Sequence, residues 1–187
     1  MIMDRTEALD LLTSYVKNEK MIAHCLASEA VLRALAERLG EDPDHWGLAG
    51  LLHDLDVEMT NADPRGHAME GAKILERKGV SPDIVEAVML HNEEAAHGQP
   101  RHKPLHYALA AGETITGLIT ATALVYPDKK VSSVKPKSIA KRMKEKAFAA
   151  SVNRETIMEC EKLGLSLQEF VELSLDAMKK VGPEIGL

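Results

Sequence analysis

Helix punctuation recurs along the whole chain, and nothing in it reads as a strand. An apolar-periodic run stops at Gly40 and is followed at once by Asp42-Pro43, a capping acid with proline in the first helical position. The same grammar returns at Gly79 and Ser81-Pro82, and Pro104, Asn153 and Ser166 look like further starts. These signals predict about eight helices. They span residues 4–17, 19–39, 42–54, 66–78, 81–91, 104–126 and 136–149, with the remainder behind Asn153 and Ser166. A polar loop over residues 56–65 and a flexible stretch over residues 92–103 lie between them. The expected fold is an all-α helical bundle in one domain, since 187 residues bury roughly 70% of the unfolded surface.

Only 3% of the residues are aromatic, so the core must be built from Leu, Ala, Val, Ile and Met. The start MIMDRTEALDLL carries Asp4 and lacks a basic region ahead of an apolar run, so it does not read as a secretory signal. The most apolar stretch, residues 115–126, is too short to span a bilayer and holds threonines at 116, 120 and 122. A cytoplasmic location without membrane contact is expected. Cys25 and Cys160 form no CxxC pair, which argues against a disulfide framework or a thiolate zinc site.

The net charge of −6 argues against a nucleic-acid polymer as partner. Yet residues 129–146 hold eight basic residues and one acid. That run is either a solvated helix face or a rim that attracts phosphate. In the second case Lys137 and Arg142 are the substrate-binding candidates, together with Lys135 and Lys141, because a guanidinium fork can hold phosphate bidentately.

Chemistry enters with the histidines. His24 shares a helical stripe with Met21, Val31 and Leu35. His91 follows Val88 and Ile84 at helical spacing, and His67 precedes Gly71 and Ile74 in the same way. His53 and Asp54 end the apolar run Leu48-Ala49-Gly50-Leu51-Leu52, where an ionised carboxylate must be exposed, paired or bound to a cation. Each imidazole alone is more often a core or surface residue than a ligand. Four inward histidines with an adjacent acid suit Fe, Mn, Zn, Co or Ni. His45, His97, His102 and His106 read as surface or rim residues.

A lone His24, the doublet His53-Asp54 ending the next apolar helix, and an acid on a later helix, Glu113 in AAGETITGL, resemble the signature of the HD superfamily of metal-dependent phosphohydrolases. The match in element order covers about residues 19–121, with helices of 135–181 packed on that core. His67 and His91 resemble the subset that holds two metals. The segments ATALVYPDKK, SSVKPKSIAKRMKEKAFA and VNRE resemble a group of small HD-domain proteins that mostly lack an assigned substrate. In the family the last ligand is an Asp, and Glu113 is one methylene longer.

The resemblance implies one or two divalent ions, Fe, Mn, Zn, Co, Ni or Mg, held by His24, His53, Asp54, His67, His91 and Glu113. It also implies hydrolysis of a phosphate ester or anhydride of a small molecule, a nucleotide by preference, by metal-activated water. Asp54, His67 and His91 are the catalytic candidates: with two ions Asp54 is the bridge, and with one ion His67 or His91 orients phosphate or serves as general acid. Two other readings fit the same residues. One is a metal- or ligand-binding module without turnover, favoured by Glu113; the other is a helical interaction protein with structural histidines. Ile157, Leu163, Phe170, Val171 and Leu175 fit core packing or the face of a homodimer.

Overall fold

The computed structural model describes residues 3–95 and 97–187, and among them the chain forms nine α-helices and no strand. In order these are α1 Arg5–Tyr15, α2 Glu19–Leu39, α3 Pro43–Leu52, α4 Met69–Arg77 and α5 Pro82–His91. They are followed by α6 Pro104–Leu124, α7 Pro136–Lys144, α8 Arg154–Met158 and α9 Leu167–Lys180. Short 3₁₀ turns cover Val131–Ser133 and Glu159–Leu163. No helix among the described residues is long and apolar enough to cross a membrane.

The caps explain where these helices begin. Asp4 and Glu7 form a reciprocal capping box on α1, as Ser166 and Glu169 do on α9. Asp42 accepts from the N–H groups of Asp44 and His45, and Gly40 closes α2 at φ +77°. Two boundaries depart from the sequence expectation. Residues 66–68 are turns, and α4 starts only at Met69 because Ala68 sits at φ +76°. The cap of α4 comes from far away: Asp56 accepts from Ala68 N–H at 3.2 Å and from Gly71 N–H at 2.7 Å. Helix α7 stops at Lys144, before residue 149, because the Arg154 guanidinium gathers the carbonyls of Arg142, Glu145, Phe148, Ala149 and Val152. Those carbonyls are satisfied without a continuing helix.

Helix α2 runs through the middle, packed against α3, α6 and α9, while α5 and α8 lie on α6 and α7 on α9. Helices α2 and α3 approach closely. A Cβ placed on Gly50 would lie 2.7 Å from the Ser28 carbonyl oxygen, so only glycine lets the two backbones meet there. Ile157, Phe170, Val171 and Leu175 are buried within the chain, as core packing requires, and Leu163 packs partly buried against them. Both cysteines are buried and free.

Gly50→Ala is expected to push α3 away from α2 and lower stability by about 1–3 kcal/mol. A urea titration reads this as a lower midpoint, and an unchanged midpoint would refute the contact.

Candidate metal centre

Helices α2, α5 and α6 and the turns around α3 and α4 bring the expected donors to one point. His24 projects from the first turns of α2, and His53 and Asp54 follow the last residue of α3. His67 stands in the turn before α4, His91 is the last residue of α5, and Glu113 lies midway along α6. Asp54 Oδ1 is 3.1 Å from His67 Nε2, 3.5 Å from His53 Nε2 and 3.6 Å from His91 Nε2. Its Oδ2 is 3.6 Å from His24 Nε2, which is also 3.6 Å from Glu113 Oε2. The six residues named from the sequence are thus neighbours.

Each imidazole is fixed from behind through Nδ1, which leaves Nε2 facing inward. His53 Nδ1 donates to Gly50 O at 2.8 Å, and His91 Nδ1 donates to Val88 O at 2.6 Å. His67 Nδ1 is held by Asp56 at 2.7 Å. His24 Nδ1 lies 3.0 Å from Thr116 Oγ1, whose own proton goes to Glu113 O at 2.7 Å, so the hydroxyl accepts from the ring. These bonds choose the tautomers. As a result His24 and His53 point Nε2 lone pairs at each other across 3.1 Å. Two acceptors at that separation repel unless a cation or proton lies between them, so the donor set fits a divalent ion.

Electrostatics agree with that fit. Burial drives the His53 pKa down to about 3, with Asp54 offsetting only part, so the ring stays neutral and able to ligate. Burial opposes ionisation of Asp54, yet His53, His67, His91 and His24 hold its pKa well below the usual range. His67 is opposed by burial but raised to about 10 by its bonds to Asp54 and Asp56. In the metal-free chain its proton supplies the positive charge the carboxylates demand. Burial raises Glu113.

Asp56 and Thr116 were not singled out by the sequence. Asp56 is fully buried and serves His67 and the start of α4 with the same carboxylate. Gly71 admits it: a Cβ there would sit 3.4 Å from the carboxyl carbon. The visible signal was an acid three residues beyond His53, opening the polar loop.

His24, Asp54, His67, His91 and Glu113 floor a cleft of about 350 Å³ whose walls include Asn92, Glu93, Glu94, Thr114, Ser151 and Asn153. Neither Lys137 nor Arg142 is among the described residues lining it. Lys137 is exposed on α7, and Arg142 is turned to Glu145 and stacked 4.2 Å from the Phe148 ring centre. The structure therefore does not bring the basic run to the site. Arg101 ties its own part of the stretch 92–103 to Glu93, Glu159 and the carbonyls of Leu90 and His91. His106, read from the sequence as a surface or rim residue, is fully buried. It lies in the first turn of α6 on the side that packs against α5.

Removing the shared carboxylate in Asp56→Ala should cost about 2–3 kcal/mol, because buried N–H groups lose a charged acceptor; urea unfolding measures it. In chelator-treated protein the two perturbed histidines of the centre, His53 and His67, pull stability in opposite directions. His53 is protonated in the unfolded chain below about 6.5 but not in the folded one, so stability falls as pH drops from about 6.5 toward 3. His67 contributes fully below about 6.5 and loses its contribution as pH rises toward 10. Urea midpoints across this range should peak near pH 6.5, and His53→Gln should flatten the acid side.

Comparison with known proteins bears on the same residues. The family model described as HD domain matches residues 21–120. Curated relatives include Ribonuclease Y of Opitutus terrae, 36% identical over 78 residues, or 41% of this chain and 15% of the relative. Ribonuclease Y of Nitratidesulfovibrio vulgaris is 31% identical over 105 residues, 56% of this chain and 19% of the relative. Ribonuclease Y of Pseudothermotoga lettingae is 27% identical over 175 residues, 92% of this chain and 33% of the relative. The chain thus spans a third or less of the length of these relatives. The expectation that excluded a nucleic-acid polymer as partner is overturned, since these relatives bear the name of a ribonuclease. Net charge over a whole chain was a poor guide, because a cation held among the donors can meet a phosphate locally. With that model covering more than half of its length and the histidine–aspartate core assembled as described, the chain belongs to the HD domain family.

Proposed function

We propose that this protein is a metal-dependent phosphohydrolase acting on a phosphoester of a ribonucleotide unit, with RNA as the first substrate to test. The observation that carries the reading is the set of four imidazoles, each tied outward through Nδ1 and aimed inward through Nε2 around Asp54. The name shared by the relatives supports RNA as the substrate class. The chain acts as one HD-type unit, a reading supported by the packing of α9 on α2 and of α7 on α9.

His24, His53, Asp54, His67, His91 and Glu113 would hold one or two divalent ions, with Asp54 central because both its oxygens face imidazoles. A bound divalent ion supplies a nucleophile at neutral pH and takes up charge that develops on phosphoryl oxygens. The protein's own residues do the rest. Gly50 O, Val88 O, Asp56 and Thr116 fix the imidazole planes, so no reorganisation of the donors is needed when substrate arrives. With a single ion bound on the other donors, His67 or His91, which line the cleft, can instead orient phosphate or deliver a proton to the leaving oxygen. Glu93 and Glu94 on the wall make it acidic and favour short substrates of low charge. That observation keeps a small nucleotide as a second reading.

Labelled RNA oligonucleotides and single nucleotides are incubated with the protein and Mn, Co, Ni, Fe, Zn or Mg. Hydrolysis is expected with at least one ion, abolished by chelator and lowered roughly a thousandfold or more by Asp54→Ala. Folded, metal-loaded protein that leaves every substrate intact, or turnover indifferent to Asp54→Ala, would end the reading.

A further inference from the structure

Three histidines that the centre does not use meet two carboxylates elsewhere on the molecule. His102 and His106 are four residues apart across the start of α6, with ring centres 4.9 Å apart and perpendicular planes. Opposite them on α5 stand Asp83 and Glu86, three residues apart and so on one face of that helix. Donor atoms of Asp83, Glu86 and His106 all lie within 4.8 Å of one another. His106 Nε2 is 3.5 Å from Glu86 Oε2, His102 Nε2 is 3.8 Å from Glu86 Oε1, and His45 Nε2 on α3 is 3.3 Å from Asp83 Oδ2.

The decisive feature is His106. Its ring is fully buried, and its Nε2 faces the two carboxylates without a hydrogen-bond partner. A buried polar atom in that condition costs free energy that a ligand would recover. We infer that His106, Glu86, Asp83 and His102 form a second transition-metal site, selective for Zn²⁺-class ions by its mixed imidazole and carboxylate donors, with His45 orienting Asp83 from α3.

Two local changes accompany binding. Lys103, whose ammonium lies against Glu86 and Asp83, moves out to solvent, which its half-exposed side chain permits. The His106 proton resides on Nδ1 once Nε2 ligates, which gives up the 3.4 Å contact from His102 N–H. The ion then fastens the first half of α5, where Asp83 and Glu86 stand, to the start of α6. The segment between them, residues 92–103, carries Asn92, Glu93 and Glu94 to the wall of the main cleft. Through His102 the site pins the end of that segment that enters α6, and it stands whether or not the main centre hydrolyses RNA.

Metal content and Co²⁺ or Zn²⁺ affinity are measured by equilibrium dialysis on the full chain and on the surface variants Glu86→Gln and His102→Ala. The Co²⁺ absorption spectrum is recorded alongside. The variants should lose one binding event, or weaken it by at least the roughly 10–100-fold that loss of even an outer partner costs. Lys103→Ala should tighten the same event by removing the competing ammonium, and this variant tests the site without removing a ligand. Equal stoichiometry and affinity in the full chain, Glu86→Gln and His102→Ala, or weaker binding in Lys103→Ala, would overturn the assignment.

Discussion

Everything at the centre depends on hydrogen bonds made by the far side of each imidazole. Histidine has two ring nitrogens, and the proton must sit on one of them when the ring is neutral. By giving Nδ1 an acceptor in each case, a carbonyl for His53 and His91, a carboxylate for His67 and a hydroxyl for His24, the fold decides what Nε2 can do. The crowding of lone pairs and carboxylate oxygens that follows is unfavourable for a protein alone and favourable around a cation. The rest of the bundle serves to hold those acceptors still.

The scaffold does this by placing its rigid elements behind the donors. Gly50 lets α3 lie on the backbone of α2, which brings the end of one helix beside the first turns of the other. Thr116 and Glu113 ride on α6, so His24 on α2 is fixed by the same contact that packs the two long helices. Arg101 gathers the chain after His91 and returns it to α6. Polar groups buried in this way are costly unless satisfied, and here the satisfied partners are what orient the site.

Most of this was legible before the structure. Start and stop residues gave the helices, since Pro43, Pro82 and Pro104 occupy first-turn positions and Gly40 takes a left-handed conformation. Helical spacing placed His24 and His91 inward and the buried run ahead of His53 did the same for it, whereas His67, read on a helix, stands in the turn before α4; all four still converge. What stayed hidden was non-local. The cap of α4 comes from Asp56, twelve residues before Ala68, and local pattern reading looks for a cap within a turn. Arg154 ends α7 through carbonyls that no sequence rule ties to it. Lys137 and Arg142 were candidates by charge alone, and charge says nothing about which way a helix faces. His106 was misjudged because its depth depends on α5 packing over the first turn of α6, not on its own neighbours in sequence.

Asp56 joins two things that are usually separate in a protein, the nucleation of a helix and the aim of a reactive side chain. His67 and the amides of Ala68 and Gly71 share one carboxylate, so any opening that displaces Asp56 frees all three together. Such a local opening undoes the start of α4 and the aim of His67 in one event.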